Sequence, residues 1–361
     1  LKPFLLRVLK VKHAFRPTRR SAATASSMNL RIHACLLIGL ATAPISEAIS
    51  PILGVLSQPE HEPGSNRTVI VSSYVKWLES AGARVVPVRF GAPQCEVDFL
   101  LDRVSGVVLP GGSSGTDPTD GYGKFAYNVF RKAVSRRIPI WGTCQGHQQI
   151  LRFTCYDADE PNPVGSFPSE GYVLPLAFGS GAASSTLYSS LPQDLRRNLA
   201  SSNLTINLHH FGVGLATFHN SSALSSAFDL VATSMDTTGA EFLALMQHKT
   251  LPIATSQFHI EKNAYEFQEG GYDGDDNLGA AAPHGPEGVR AGQYLASWLA
   301  AEAREHPFTW SPAEVDDWII WNWPVEFSHR SLRTVWEQQY VFPGYGENFS
   351  CPLGQKGLVY A

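Results

Sequence analysis

The stretch Arg137-Ile-Pro-Ile-Trp-Gly-Thr-Cys-Gln-Gly-His-Gln-Gln-Ile-Leu151 joins two different hydrophobic patterns. Residues 138–141 form a short apolar run bounded by turn residues, which predicts a buried strand. From Gln145 onward, polar and apolar residues recur at helical spacing. The sequence therefore predicts a strand that passes into a helix through the tight turn Gly142-Thr-Cys-Gln-Gly146.

Cys144 occupies the centre of this turn, with a glycine two residues before it and another two residues after it. Small neighbours allow a strained turn to raise the central side chain above the sheet, as in a nucleophile elbow. The N-terminus of the following helix favours a thiolate. We therefore interpret Cys144 as a nucleophile on a largely exposed rim. The alternative is a buried structural cysteine in an ordinary glycine-rich turn.

Strands and helices alternate on both sides of this stretch. Before it, the pattern predicts strands at 51–56, 83–88 and 106–109 and helices at 72–82, 97–104 and 123–136, with a polar loop after residue 56. After it, strands are expected at 228–233, 241–247 and 252–258 and an amphipathic helix at 286–304. This alternation predicts an α/β fold with a mostly parallel central sheet and helices on both faces.

Three segments lack a clear period. Residues 156–226 are rich in Ser, Gly, Pro and Asn, and we expect irregular hairpins and loops there. The acidic residues 273–277 lack the Gly and Glu of an EF-hand and are interpreted as a solvated loop. The aromatic residues of the C-terminal tail are expected to pack against the sheet rather than to form a ligand site: Trp310, Trp318, Trp321, Trp323, Trp336 and Tyr340.

The first 48 residues resemble a targeting segment. Residues 28–48 have the charged, apolar and small-residue regions of a signal peptide in order, and we interpret 1–27 as an upstream extension. A transit peptide over residues 1–48 is the alternative. Residues 49–361 are then one domain with 20 basic and 31 acidic residues, a net charge near −11, which disfavours nucleic acid as a partner. Four glycosylation acceptors agree with secretory traffic: Asn66, Asn203, Asn220 and Asn348.

His259 is the best candidate for the base that a cysteine nucleophile requires. It directly follows a predicted strand and therefore lies at the same sheet edge as Cys144. Glu261, two residues later, could orient the imidazole. The alternative is a surface histidine beside a surface carboxylate. The N–H of Gln145 and those of Gly111 and Gly112, at another strand end, are candidate oxyanion donors.

Several motifs resemble those of a known superfamily. Leu109-Pro-Gly-Gly112, Trp141-Gly-Thr-Cys-Gln-Gly146 and Gln257-Phe-His-Ile-Glu261 are similar to motifs of the class I glutamine-amidotransferase-like hydrolases. Within that superfamily the γ-glutamyl hydrolase family has stretches similar to Ser73-Tyr-Val-Lys-Trp-Leu-Glu-Ser-Ala-Gly-Ala-Arg-Val-Val-Pro-Val88, Phe258-His-Ile-Glu-Lys-Asn-Ala-Tyr-Glu-Phe267 and Gln338-Gln-Tyr-Val-Phe342. The resemblance is weakest in the middle third.

This resemblance implies a flavodoxin-like three-layer sandwich carrying a Cys nucleophile elbow. It implies that Cys144 is the nucleophile, His259 the base, Glu261 its partner, and Gly112 and Gln145 the oxyanion donors. Tyr74, His209 and Gly111 match positions at the substrate cleft. Two residues depart from the family pattern. Ile260 replaces the usual proline between His259 and Glu261, which removes a φ restraint but leaves both side chains, and His147 stands where the family often has an aromatic residue of the cleft wall.

The implied activity is cleavage of γ-glutamyl bonds of folate poly-γ-glutamates through a thioester, without cofactor or metal. The family resemblance also implies a secreted, lysosomal or vacuolar enzyme, often a homodimer, with no membrane partner after signal cleavage. A glutaminase that supplies ammonia to a synthetase and a catalytically inactive binding protein are the alternatives. Because the substrate is polyanionic, local cations must offset the negative net charge, and the candidates are Arg84, Arg89, Lys124 and Lys262.

Overall fold

The structure, a computed structural model, describes residues 50–60, 62, 64–267, 282–306, 310–328 and 336–345. All of them belong to one compact unit, Ala48–Ala361. The interpretations of residues 1–48 as targeting sequence and of 273–277 as a solvated loop lie outside the described residues. No helix among the described residues is both long and apolar enough to cross a bilayer.

The described elements alternate as expected in the first half of the chain. The strands are β1 (Ile52–Leu56), β2 (Gln58–Pro59), β3 (Arg67–Val71), β4 (Arg84–Val88), β5 (Gly106–Leu109), β6 (Ile140–Thr143), β7 (Val164–Ser166), β8 (Tyr172–Leu174), β9 (Ala177–Phe178), β10 (Thr205–Asn207), β11 (Phe211–Val213), β12 (Phe228–Met235), β13 (Glu241–His248), β14 (Ile253–Ser256), β15 (Val325–Phe327) and β16 (Gln338–Pro343). The α-helices are α1 (Ser72–Glu79), α2 (Gln94–Leu101), α3 (Gly121–Arg136), α4 (Gln145–Asp157), α5 (Thr186–Ser189), α6 (Gln193–Ser201), α7 (Leu215–Asn220), α8 (Ser222–Ala227), α9 (Pro286–Arg304) and α10 (Pro312–Trp318).

The central sheet has eight strands in the order β4-β1-β5-β6-β14-β13-β12-β9. The first five are parallel to their neighbours, and β13, β12 and β9 extend the sheet in antiparallel fashion. Residues of β1, β5 and β6 are buried throughout, as expected for strands covered on both faces.

Two hydrophobic cores lie on opposite faces of this sheet. On one face, Leu53 and Trp141 pack with Trp77 of α1 and Leu299 of α9. On the other, residues such as Ile52 and Val107 pack with buried side chains of α2, α3 and α4. Alternate residues of each strand thus point into different cores, which produces a three-layer α/β sandwich. The predicted fold class is confirmed.

A second sheet, in the order β15-β16-β3-β2, was not predicted. The segment interpreted as a polar loop contains β2 and β3, and part of the aromatic tail forms β16, which pairs with β3 over five residues. The prediction for residues 156–226 was also only partly right. They contain five short strands and four short helices, and α6 has only Leu195 and Leu199 buried. Elements with so few buried positions leave no measurable period in the sequence.

Candidate active site

The predicted reactive groups follow three neighbouring strands of the central sheet and lie at the carboxyl ends of those strands. Gly111 and Gly112 follow β5, Cys144 follows β6, and His259 follows β14. Because β5, β6 and β14 are adjacent and parallel, their carboxyl ends lie side by side. The sheet therefore brings together residues that lie about 150 positions apart in the sequence.

Cys144 is held in a strained backbone conformation. Its φ of 51° and ψ of −104° lie outside the favoured regions for a residue with a side chain, and it immediately precedes α4. A Cβ atom on Gly146 would lie 2.0 Å from the Leu109 carbonyl oxygen, so only glycine allows this helix to approach β5. The Cys144 N–H donates to the Ser256 carbonyl at 2.8 Å. This is the geometry of a nucleophile elbow, although the side chain is only 4% exposed rather than on an open rim.

His259 and Glu261 form a buried ion pair beside it. The distance between His259 Nδ1 and Glu261 Oε1 is 2.7 Å. Burial alone lowers the pKa of His259, but the charges of Glu261 and of an ionised Cys144 outweigh it and raise that pKa to about 9. Burial acts to raise the pKa of Glu261, yet the His259 charge lowers it overall. The pair with Glu261 therefore favours the protonated form of the His259 imidazole.

The loop after β5 lies directly against these groups. A Cβ atom on Gly111 would lie 2.4 Å from His259 Cε1 and 3.1 Å from Cys144 Cβ. The Gly111 N–H donates to the Tyr74 hydroxyl at 2.7 Å and is therefore engaged. The Gly112 and Gln145 amides are the two backbone donors of the predicted set that remain for an oxyanion. Burial, reinforced by the Glu261 charge, raises the pKa of Tyr74 well above its ordinary value, so its hydroxyl stays protonated.

A cleft of about 760 Å³ opens over Cys144. Its walls come from the strand ends, from the short β7–β8 and β10–β11 segments and from the C-terminal tail. Its lining includes Val71, Tyr74, Gly111, Gly112, Ser113, Gly115, Thr116, Cys144, Gln145, Gln148, Asn162, Val164, Glu170, Leu208, His209, His210, Phe211, His259, Lys262 and Trp336. Cys144, His259, Tyr74 and His209 thus share one cavity with the predicted donors.

Comparison with known proteins agrees with this geometry. Residues 66–270 match the family model of glutamine amidotransferase class-I. The gamma-glutamyl hydrolase of Mus musculus is 33% identical over 284 residues, which cover 75% of this chain and 84% of the mouse protein. This chain belongs to the gamma-glutamyl hydrolase family. The gamma-glutamyl hydrolase of Bos taurus is 31% identical and covers 84% of this chain and 93% of its own length. Gamma-glutamyl hydrolase B of Dictyostelium discoideum is 30% identical, with coverages of 81% and 83%.

Of the four cations that we considered for this gamma-glutamyl hydrolase family member, Lys262 alone lies at the cleft. It is the one lysine or arginine among the described residues of the lining. Its ammonium lies 5.8 Å from the centroid of the Trp336 ring. Arg89 is instead buried against Glu96, at 3.2 Å, and Arg84 and Lys124 are not part of the lining. The suggestion of these three as cleft cations was wrong. Arg84 begins β4, at the amino ends of the parallel strands, Arg89 is held by Glu96, and Lys124 lies in α3 outside the lining.

The two departures from the family pattern have different consequences. His147 is fully buried in α4, and its Nδ1 lies 2.8 Å from Thr255 Oγ1. It does not line the cleft, and burial lowers its pKa to about 3. Burial likewise lowers the pKa of His209, a lining residue, to about 3. Ile260 is buried, and the His259–Glu261 pair forms without the proline.

The sequence did not identify several residues of this lining. Trp336, which we expected only to pack against the sheet, also forms part of the cleft wall. Gln148, Asn162 and Glu170 carried no signal, because polar residues in loops and on helices are common. No group of three His, Cys, Asp or Glu side chains in the part of the chain that the structure describes could hold a metal ion. The acceptors Asn66, Asn203 and Asn220 are exposed, and Asn348 lies outside the described residues.

Proposed function

We propose that this protein hydrolyses γ-glutamyl amide bonds through a thioester on Cys144. The observation that carries the proposal is that Cys144, His259 and two backbone donors line one cleft of a chain of this family, with Glu261 buried and paired to His259. Each group supplies a different part of acyl transfer: a nucleophile, a proton carrier and stabilisation of negative charge.

The reaction proceeds in two halves. The Cys144 thiolate attacks the γ-carbonyl carbon, and the carbonyl oxygen takes up the negative charge near the Gly112 and Gln145 amides. The His259 imidazolium then donates its proton to the leaving nitrogen, the C–N bond breaks, and a γ-glutamyl thioester remains. In the second half, His259 accepts a proton from water as the oxygen attacks the thioester. The C–S bond breaks, which releases the γ-carboxylic acid and regenerates the thiolate–imidazolium pair, and the released acid then loses its proton to solvent.

Folate poly-γ-glutamates are the substrate class that the cleft suits best. Each γ-linked unit leaves an α-carboxylate beside the scissile bond, and Lys262 can supply a charge-assisted donor to one of them. Lys262 is 5% exposed, so water and salt screen its charge less than they screen a surface lysine. Aromatic surface for a pteroyl group is present on Phe211 and Trp336, which also line the cleft.

The deciding experiment is product analysis with a ladder of pteroyl-γ-glutamates beside free glutamine. We expect glutamate or poly-γ-glutamate release from the ladder and at most slow ammonia release from glutamine. Cys144→Ala is the negative control. Cys155→Ala is its matched control, because Cys155 is the other free, buried thiol of the described chain and lies on α4 away from the cleft. Equal rates on glutamine and on a folate triglutamate would favour a glutaminase instead. Binding without turnover would favour an inactive binding protein.

We also propose that the protein travels through the secretory pathway to the cell exterior, a lysosome or a vacuole. The exposure of three of the four glycosylation acceptors supports this, since glycan addition requires surface sites. Native protein should show a glycosidase-dependent mobility shift and an N-terminus near residue 49. An unglycosylated protein that retains residues 16–20 would contradict the proposal. Sedimentation of the same material tests the expected homodimer.

A further inference from the structure

Gln58, the first residue of β2, reaches between the two segments that carry the oxyanion donors. Its Nε2 donates to the Pro110 carbonyl at 3.4 Å and to Gln145 Oε1 at 3.1 Å. Its Oε1 accepts from Ser114 Oγ at 3.4 Å. One buried carboxamide therefore bonds to the loop after β5 on both sides of Gly112 and to the first residue of α4.

The packing around this carboxamide is tight. A Cβ atom on Gly112 would lie 1.8 Å from Gln58 Oε1, so the Gly112 backbone rests directly on the Gln58 side chain. The Gln145 Nε2 in turn donates to the Gly115 carbonyl at 3.0 Å. The loop and the helix are thus joined by a chain of side-chain hydrogen bonds that begins at Gln58.

Strand pairing in the second sheet holds the backbone of Gln58 in place. It pairs with Val69 in the second sheet, where β16 holds the other edge of β3. Its side chain is not part of the described lining of the cleft over Cys144, so it is not placed to contact a substrate bound there. It lies instead along a small adjoining cavity behind Gly111 and Gly112. Any role in the reaction must therefore act through other residues.

We propose that Gln58 is a positioning residue that holds the Gly112 and Gln145 amides at the separation at which both bind the oxyanion. The inference rests on the proposed thioester mechanism. Removing one oxyanion donor typically costs 10²–10³-fold in kcat, and a misplacement of about 1 Å can cost as much as 10²-fold. Loss of the Gln58 hydrogen bonds loosens both donors without removing either. We therefore expect a loss of about tenfold to a hundredfold.

The test compares two reactions of Cys144 that differ in their need for an oxyanion. A γ-glutamyl aldehyde forms a hemithioacetal, in which Sγ bonds to the carbonyl carbon and the oxygen takes the charge. Iodoacetamide alkylation displaces iodide from a saturated carbon, and no oxyanion forms. Gln58→Met keeps the volume of the side chain but removes its hydrogen bonds. Gln247→Met is the matched control, because Gln247 is also buried and makes three hydrogen bonds, outside the lining of the cleft.

In Gln58→Met we expect kcat on pteroyl-γ-glutamates and affinity for the aldehyde to fall together by about tenfold to a hundredfold. KM and the alkylation rate should stay within about twofold. Gln247→Met should leave kcat, KM, the affinity for the aldehyde and the alkylation rate unchanged. Combining Gln58→Met with Gln145→Leu should cost little more than the worse single variant, since both break the same bridge.

An alkylation rate that falls in parallel with kcat would overturn the proposal, because Gln58 would then act on the nucleophile or on the fold. Unchanged aldehyde affinity would overturn it as well. If wild-type protein shows no hydrolysis at all, the thioester mechanism fails instead. Gln58→Leu removes the same hydrogen bonds without adding a charge, and it provides the same comparison if Gln58→Met does not fold.

Discussion

Replacing Glu261 with glutamine should shift the alkaline limit of activity downward. The substitution keeps the size and shape of a fully buried side chain and removes one negative charge 2.7 Å from His259 Nδ1. His259 must be protonated to release the leaving nitrogen. Below its pKa it carries that proton, and the proton is lost as the pH rises through the pKa, so wild-type kcat/KM should decline near pH 9.

The size of the shift follows from the balance of charges around His259. Its pKa is about 9 instead of the ordinary 6.5, which corresponds to about 3 kcal/mol in favour of the imidazolium. Burial acts in the opposite direction, and Glu261 is the largest of the opposing charges. Without that charge, burial lowers the pKa again, while an ionised Cys144 still raises it. We therefore expect the alkaline limb to move down by at least about one pH unit.

The assay is the pH profile of kcat/KM and of the iodoacetamide alkylation rate for both proteins. Glu170→Gln removes a carboxylate from the same cleft, and it is the matched control that should leave the limb near pH 9. At neutral pH we expect Glu261→Gln to lower kcat by roughly 10⁴-fold and His259→Asn to cost more, because Glu261 orients while His259 transfers protons. An unmoved limb, or a greater loss in Glu261→Gln than in His259→Asn, would refute the assigned roles.

Three further substitutions test other parts of the cleft and core. Cys144→Ala should abolish hydrolysis with the melting temperature little changed, and residual turnover in a pure, folded variant would contradict the covalent mechanism. Lys262→Met should raise KM for polyglutamates by about tenfold and weaken the dependence on salt, whereas Lys124→Met, outside the lining, should not. Burial lowers the pKa of His147 to about 3, so the unfolded chain binds a proton below pH 6.5 that the folded protein does not bind. The free energy of unfolding therefore decreases as the pH falls. Denaturant titration of His147→Phe should show that roughly 3 kcal/mol of stability is recovered at pH 4.5 relative to pH 8, and an unchanged difference would contradict the assignment.

The sequence alone was sufficient to predict the elbow at Cys144 and the base His259, because a local pattern coincides there with a chemical requirement. The apolar run before Gly142 and the glycine spacing around Cys144 predicted an elbow that the backbone angles reproduce. His259 was selected from 12 histidines because it follows a strand, and strand ends of a parallel sheet share one edge. Those inferences needed only the periodicity of the chain and the handedness of parallel crossovers.

Only the tertiary structure decided which residues from distant segments support the site. Gln58 and Trp336 lie 278 positions apart, and they reach the cleft region because β16 pairs with β3 and β3 with β2. These short strands have little local signal, since their stability comes from pairing with distant segments rather than from an amphipathic period. The choice among the four candidate cations was decided in the same way. Lys262, Arg84, Arg89 and Lys124 are indistinguishable as basic residues in the sequence, and only packing determines which of them lines the cleft.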